Sequence, residues 1–149
     1  MSLKQVDVKT AYTRQTEDGQ VYVDVRSVPE FEKGHPAGAR NVPLLHFVES
    51  TGRMHPNPDF LTVMQANFSP DTALLVGCQM GGRSAQAGQA LVAAGYQDVT
   101  NVAGGFGGAR DRMTGHVVAE GWADAGLPVE QDTPTGSGYD ELQKIAGQG

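Results

Sequence analysis

Only one cysteine, Cys78, occurs in the 149 residues, so no internal disulfide can form and nothing in the chain demands an oxidising compartment. No apolar run is long enough to span a bilayer, and the opening residues, MSLKQVDVKT, lack the apolar stretch of a secretory signal. Cationic charge is scarce: 11 Lys and Arg against 17 Asp and Glu give a formal net charge of -6. That balance argues against nucleic acid or an anionic membrane as a partner held by bulk electrostatics. Aromatic residues are few at 7%, and no repeat of solenoid or propeller period is present. These absences leave the cytoplasm as the expected location. What is present is 39% hydrophobic residues in a chain suited to one domain around one core.

Apolar runs alternate with helix-like segments. Val21 to Val25 reads as a short strand and Ser27 to Lys33 as a short helix, with Ser27 as N-cap and Glu30 at the capping-box position. Ala39 to Val42 reads as a small strand. Asn57 to Asn67 reads as a helix with Pro58 in its first turn and Phe60, Leu61 and Met64 on one face. Ala73 to Gly77 has the continuous apolar character of a buried strand. Ser84 to Ala94 is a helix rich in Ala, Gln and Leu, stopped by Gly95, and Val99 to Val102 is another strand. This alternation predicts an α/β domain with a mostly parallel sheet of about five strands and helices on both faces. After Val102 the pattern loosens. Gly104, Gly105, Gly107 and Gly108 make a flexible turn; one helix is expected near Phe106 and another over Val117 to Ala125. The domain is drawn as residues 1–130. Residues 131–149 are set apart as a tail, either mobile or closing on a short helix from Tyr139 to Ala146.

The stretch Gly77-Cys78-Gln79-Met80-Gly81-Gly82-Arg83-Ser84 places the lone thiol between a strand and a helix. In an open parallel sheet, sites form at the carboxyl ends of the strands. Successive backbone N–H groups of a glycine-rich turn converge into an anion nest, and the helix N-terminus adds partial positive charge there. Arg83 adds a full charge. All three favour thiolate over thiol. Gly81 and Gly82 give the loop access to positive φ. A merely structural cysteine more often lies inside an element as a small apolar residue. The substrate-facing set is therefore Gln79, Met80, Gly81, Gly82, Arg83 and Ser84 around a nucleophilic Cys78. Met80 stands at the loop tip. Ser84 is placed to cap the helix, and an ion pair with Asp24 would fix Arg83 at its start. Asp24 and Arg26 also follow a strand, which brings them to the same sheet edge, where they set the loop or Arg83 from behind.

Cys78-Gln79-Met80-Gly81-Gly82-Arg83-Ser84 resembles the active-site loop of the rhodanese family, the thiosulfate sulfurtransferases. Val23-Asp24-Val25-Arg26, then Glu30-Phe31, then Gly34-His35-Pro36-Ala37-Gly38-Ala39-Arg40-Asn41-Val42-Pro43 resemble a second family segment, with Pro-Ala in place of the common Ile-Pro. Gly104-Gly105 and Trp122 to Val129 resemble the family's ending, here separated by a longer insertion, Phe106 to Gly121. The resemblance runs from Lys4 to Val129. It implies a two-step reaction in which the Cys78 thiolate takes the outer sulfur of thiosulfate, sulfite leaves, and a persulfide on Cys78 passes its sulfur to cyanide or a thiol. With no second cysteine, the acceptor comes from outside the chain. A protein sulfur donor or acceptor fits as well, in which case the chain is a persulfide carrier for a partner enzyme. A cysteine-based phosphatase on the same fold is the remaining alternative. Those enzymes carry a longer loop between Cys and Arg, and a phosphoryl group with three oxygens needs more room than a terminal sulfur.

His35, His46, His55 and His116 show no metal-ligand spacing with one another or with Cys78, so neither metal nor cofactor is expected. His35 and Trp122 read as structural. Gly104-Gly105-Phe106-Gly107-Gly108 lacks the spacing and the Lys-Ser/Thr pair of a phosphate-binding loop, and reads as a turn near the active-site edge.

Overall fold

The computed structural model describes residues 3–148. In chain order the elements are β1 Lys4–Val6, α1 Val8–Glu17, β2 Val21–Asp24, α2 Val28–Lys33, β3 His35–Pro36, β4 Arg40–Asn41, β5 Leu45–Val48 and β6 Arg53–Pro56. There follow α3 Phe60–Asn67, β7 Ala73–Gly77, α4 Gly82–Ala93, β8 Asp98–Val102, β9 Ala109–Arg110, β10 Val117–Ala119, β11 Val129–Glu130 and α5 Tyr139–Gln148. A five-stranded sheet with the order β1-β8-β7-β2-β4 forms the centre, and every pairing in it is parallel. This is the α/β architecture that the alternation of apolar runs predicts.

The sheet is covered on both faces because its central strands are apolar at consecutive positions. In β2, Tyr22 points to one face and Val23 to the other; in β7, Leu75 and Val76 divide in the same way, and the two pairs lie in register. Val23, Leu74, Val76 and Val99 pack under Phe60, Val63 and Met64 of α3, Ala87 and Leu91 of α4, and Tyr139 and Leu142 of α5. On the opposite face Tyr22, Leu75 and Val102 pack with Val8 and Ala11 of α1, Phe31 and Trp122. Trp122 is fully buried, edge-on to Tyr22 with ring centroids 5.4 Å apart.

Residues beyond 130 take part in this core. The Tyr139 hydroxyl receives a hydrogen bond from Asn57 Nδ2 at 3.1 Å, and Asn67 Nδ2 donates to the Leu142 carbonyl at 3.0 Å. The segment before α5 also closes the sheet edge, for Asn41 N–H donates to the Ser137 carbonyl at 2.8 Å. The last helix is thus docked on α3.

The two helices expected after Val102 are absent. Residues 104–108 form a turn, and Ala109–Arg110 pairs antiparallel with Val117–Ala119. Gly104, Gly105 and Gly108 all have positive φ, which breaks any helix, and the β-branched pair Val117-Val118 is better suited to a strand. The elements α1 and β1 and the β5–β6 hairpin stand where the sequence pattern predicts no element.

Candidate functional site

Cys78 directly follows β7 at the carboxyl edge of the sheet and is 2% exposed. It lines an open cleft of about 260 Å³ together with Gln79, Met80, Gly82 and Arg83. The loop turns back over the sulfur because Gly81 adopts φ 114°, a left-handed conformation that strains other residues. That turn aims the Gly81 N–H at Sγ, at 3.0 Å. Gly82 is already helical, so Gly81 alone uses positive φ in this loop. Gly81 is also the N-cap of α4, and the leading N–H groups of that helix have no intrahelical partner. The site therefore sets Sγ, with the Gly81 N–H on it, beside a helix N-terminus, whose partial positive charge favours an anionic atom.

Ser84 is not the cap. It lies inside the first turn of α4, fully buried, with Oγ 3.4 Å from Cys78 Sγ and 2.5 Å from Asn101 Oδ1. Met80 is 60% exposed and forms the apolar rim of the cleft.

Arg83 pairs with Glu30 and not with Asp24. Its Nη1 and Nη2 donate to the two carboxylate oxygens at 2.7 and 3.0 Å, a bidentate fork that a planar guanidinium favours. Glu30 also accepts from the Ser27 N–H and hydroxyl, so the capping box of α2 holds the partner of Arg83. Burial works against the Glu30 charge, yet the hydrogen bonds from Arg83 and Ser27 prevail and hold its carboxyl at about 2. The same hydrogen bond raises the pKa of the Arg83 guanidinium, against the opposing effect of burial.

Asp24 and Arg26 form a buried ion pair, 2.7 Å at its shortest. Arg26 spans the back of the site. It donates to the Gly34 carbonyl at 2.7 Å and to Gln79 Oε1 at 3.3 Å, and its guanidinium lies 4.4 Å from the centre of the Phe106 ring. Gln79 is thus held from behind by Arg26. Phe106 N–H donates to the Cys78 carbonyl at 2.7 Å and Gly107 N–H to the Gln79 carbonyl at 2.9 Å. The glycine turn 104–108 is the outer support of the loop. Glu30, Asn101, Phe106 and the two turn N–H groups are site groups that the sequence pattern does not single out. Glu30 carries the one available signal, its place in the Glu30-Phe31 stretch.

Among the described residues no group of three His, Cys, Asp or Glu side chains is placed to hold a metal ion. His35 is buried, stacked on Phe31 with its Nδ1 2.8 Å from the Phe31 carbonyl, and does not reach the cleft.

A thiol that accepts from a backbone N–H beside a helix N-terminus, at the carboxyl edge of a parallel sheet, marks the candidate site for cysteine chemistry. The family model of the rhodanese-like domain matches residues 7–110, and the chain belongs to that family. Thiosulfate sulfurtransferase 16 of Arabidopsis thaliana, a chloroplastic protein, is 37% identical over 112 residues, 75% of this chain and 81% of its own. Thiosulfate sulfurtransferase 18 of the same plant is 34% identical over 132 residues, 87% of each chain. The crystal structure of Rv0390 from M. tuberculosis superposes with a TM-score of 0.70 at 25% identity, covering 89% of this chain and 100% of that one. The solution structure of the polysulfide-sulfur transferase homodimer from Wolinella succinogenes shares the fold, with a TM-score of 0.58 at 20% identity over 90% of this chain and 82% of that one. The family and the plant relatives support sulfurtransferase activity for this chain.

Proposed function

We propose that the protein moves the sulfane sulfur of thiosulfate to a thiol or cyanide acceptor through a persulfide on Cys78. One observation carries the reading: Cys78 lines an open cleft, and its Sγ accepts from the Gly81 N–H at 3.0 Å. The Cys78 thiolate attacks the outer sulfur, the S–S bond of thiosulfate breaks, and sulfite leaves with the bonding pair. The terminal sulfur of the persulfide carries the charge, and the loop N–H groups and the first turn of α4 stabilise it. An acceptor thiolate or cyanide then attacks that sulfur and returns Cys78 as thiolate. Arg83, on the wall of the cleft, attracts the anionic donor while Glu30 fixes its position. A reducing location such as the cytoplasm keeps the lone thiol available.

The test is the intact mass of reduced protein before and after thiosulfate, with Cys78→Ser alongside. A gain of one sulfur atom, absent from the variant and removed by cyanide, is the expected result. No gain in the wild type would exclude thiosulfate as donor, and a gain in the variant would remove Cys78 from the role.

A further inference from the structure

The Ser84 hydroxyl has one hydrogen and three acceptors around it. Asn101 Oδ1 lies at 2.5 Å, the Gly81 carbonyl at 3.2 Å and Cys78 Sγ at 3.4 Å. The short contact to Asn101 takes that hydrogen, since an O–H···O bond near its minimum length is far stronger than a long O–H···S contact. Sγ then keeps the Gly81 N–H as its donor, and the Ser84 oxygen faces the sulfur with a lone pair. A lone pair opposite sulfur accepts a thiol hydrogen and repels a thiolate.

The orientation of Asn101 is fixed from its other side. Its Nδ2 donates to Gln5 Oε1 at 2.9 Å and lies 3.4 Å from the Gly81 carbonyl, both of them acceptors. This leaves Oδ1 for Ser84. Ser84 and Asn101 are both buried, so water does not compete for the hydroxyl. The strand β8 thereby reaches under α4 and sets the direction of a hydroxyl beside the sulfur, although Asn101 itself does not touch Sγ.

We propose that Asn101 is a positioning residue that withholds the Ser84 hydroxyl from Cys78 Sγ and so restrains thiolate formation. The proposal rests on Cys78 being the reactive group, but its test reads the thiol directly and uses no sulfur donor. It stands or falls independently of thiosulfate turnover. When a charged sulfur occupies the site, the hydroxyl gains by turning from Asn101 to the anion.

The experiment measures thiolate absorbance across pH and the rate of alkylation by iodoacetamide. Cys78 is the only thiol, so either signal has one source. The charged or titratable groups that face it are Arg83 with its partner Glu30, the Asp24–Arg26 pair and the Tyr22 phenol; all stay unchanged in Asn101→Leu and Ser84→Ala, whereas Asn101→Asp adds a carboxyl whose direct effect the Ser84→Ala background measures. Asn101→Leu fills the space and leaves the hydroxyl the Gly81 carbonyl and Sγ, of which a charged sulfur is the stronger acceptor. It is expected to increase the thiolate fraction at a fixed pH below the midpoint by about tenfold, the size of one hydrogen bond to a charged group. In a Ser84→Ala background the same substitution is expected to change nothing. Asn101→Asp keeps the size and the hold on Ser84 and is expected to act in the opposite direction. Should Asn101→Leu not fold, Asn101→Asp decides alone, its decrease expected to be clearly smaller in the Ser84→Ala background. A decrease in thiolate with both variants, or effects that persist unchanged without the Ser84 hydroxyl, would overturn the proposal.

Discussion

Gly105→Ala tests whether the glycine turn supports the active-site loop. At Gly105 a Cβ would lie 2.2 Å from the Cys78 carbonyl oxygen and 3.0 Å from the Gln79 carbonyl carbon. The residue also has φ 56°, where a side chain brings about 1–2 kcal/mol of strain. To reach ordinary contact the turn and the loop must separate by about 1 Å. That separation disrupts the Phe106 and Gly107 N–H bonds to the loop carbonyls, each worth about 1 kcal/mol. The expected loss is therefore about 2–4 kcal/mol, or a fall in Tm of about 5–15 °C for a domain of this size. Sulfur transfer to cyanide is expected to fall by about a hundredfold, the usual effect of a 1 Å displacement of a reacting group. Gly19→Ala is the control, because Gly19 has φ 68° with nothing within 4 Å of where the added methyl would stand, so it reports strain alone. Thermal unfolding followed by circular dichroism and a thiocyanate assay measure both quantities. If Gly105→Ala loses no more stability than Gly19→Ala and keeps the wild-type rate, the turn does not brace the loop.

Two further outcomes follow from the same geometry. Because the Glu30 carboxyl is held at about 2 against an ordinary 4.5, its pair with Arg83 contributes fully above 4.5 and fades as the pH falls toward 2. The stability gap between wild type and Glu30→Gln, from urea unfolding, is expected to be about 1–2 kcal/mol near neutrality after allowance for solvent screening, and to close over that acidic window; a gap that does not change with pH would refute the assignment. Deleting the chain from Gln131 onward removes buried Tyr139 and Leu142 and is expected to destabilise by about 3–6 kcal/mol, read from the denaturant midpoint; an unchanged midpoint would show that α5 adds nothing to the core.

The parts of the site that sequence reveals are local. Cys78 to Arg83 lies between a continuous apolar run and an Ala-rich helix, so the strand, the turn and the helix start can all be read within a few residues. Glu30 and Arg83 are 53 positions apart, as are Arg26 and Gln79, and only the β2–β7 register brings each pair together. Asp24 therefore looks like the partner of Arg83 in the sequence, since both stand at the same sheet edge. Asn101 sits in a strand among Val99, Thr100 and Val102, where a polar residue gives no sign of what it faces. Helix α1 leaves little trace in the pattern because only Val8 and Ala11 are buried among polar neighbours, too few to show a period. One helix near Phe106 and another over Val117 to Ala125 are expected when the glycines there are weighed only as flexibility. In the fold Gly108 and Gly121 are points where two backbones touch.

The insertion that follows the glycine turn begins and ends at one place. Trp122 N–H donates to the Gly105 carbonyl at 2.9 Å and Ala123 N–H to the Phe106 carbonyl at 3.2 Å, while Gly121 packs on the backbone of Gly108. Everything between Gly108 and Gly121 hangs from this clasp, with Met113, Val117 and Val118 turned to solvent. The segment is an exchangeable cassette: its length and composition can change while the clasp, and with it the support of Cys78, stays shut. A chain built this way can lengthen or shorten that segment without rebuilding the loop that holds its sulfur.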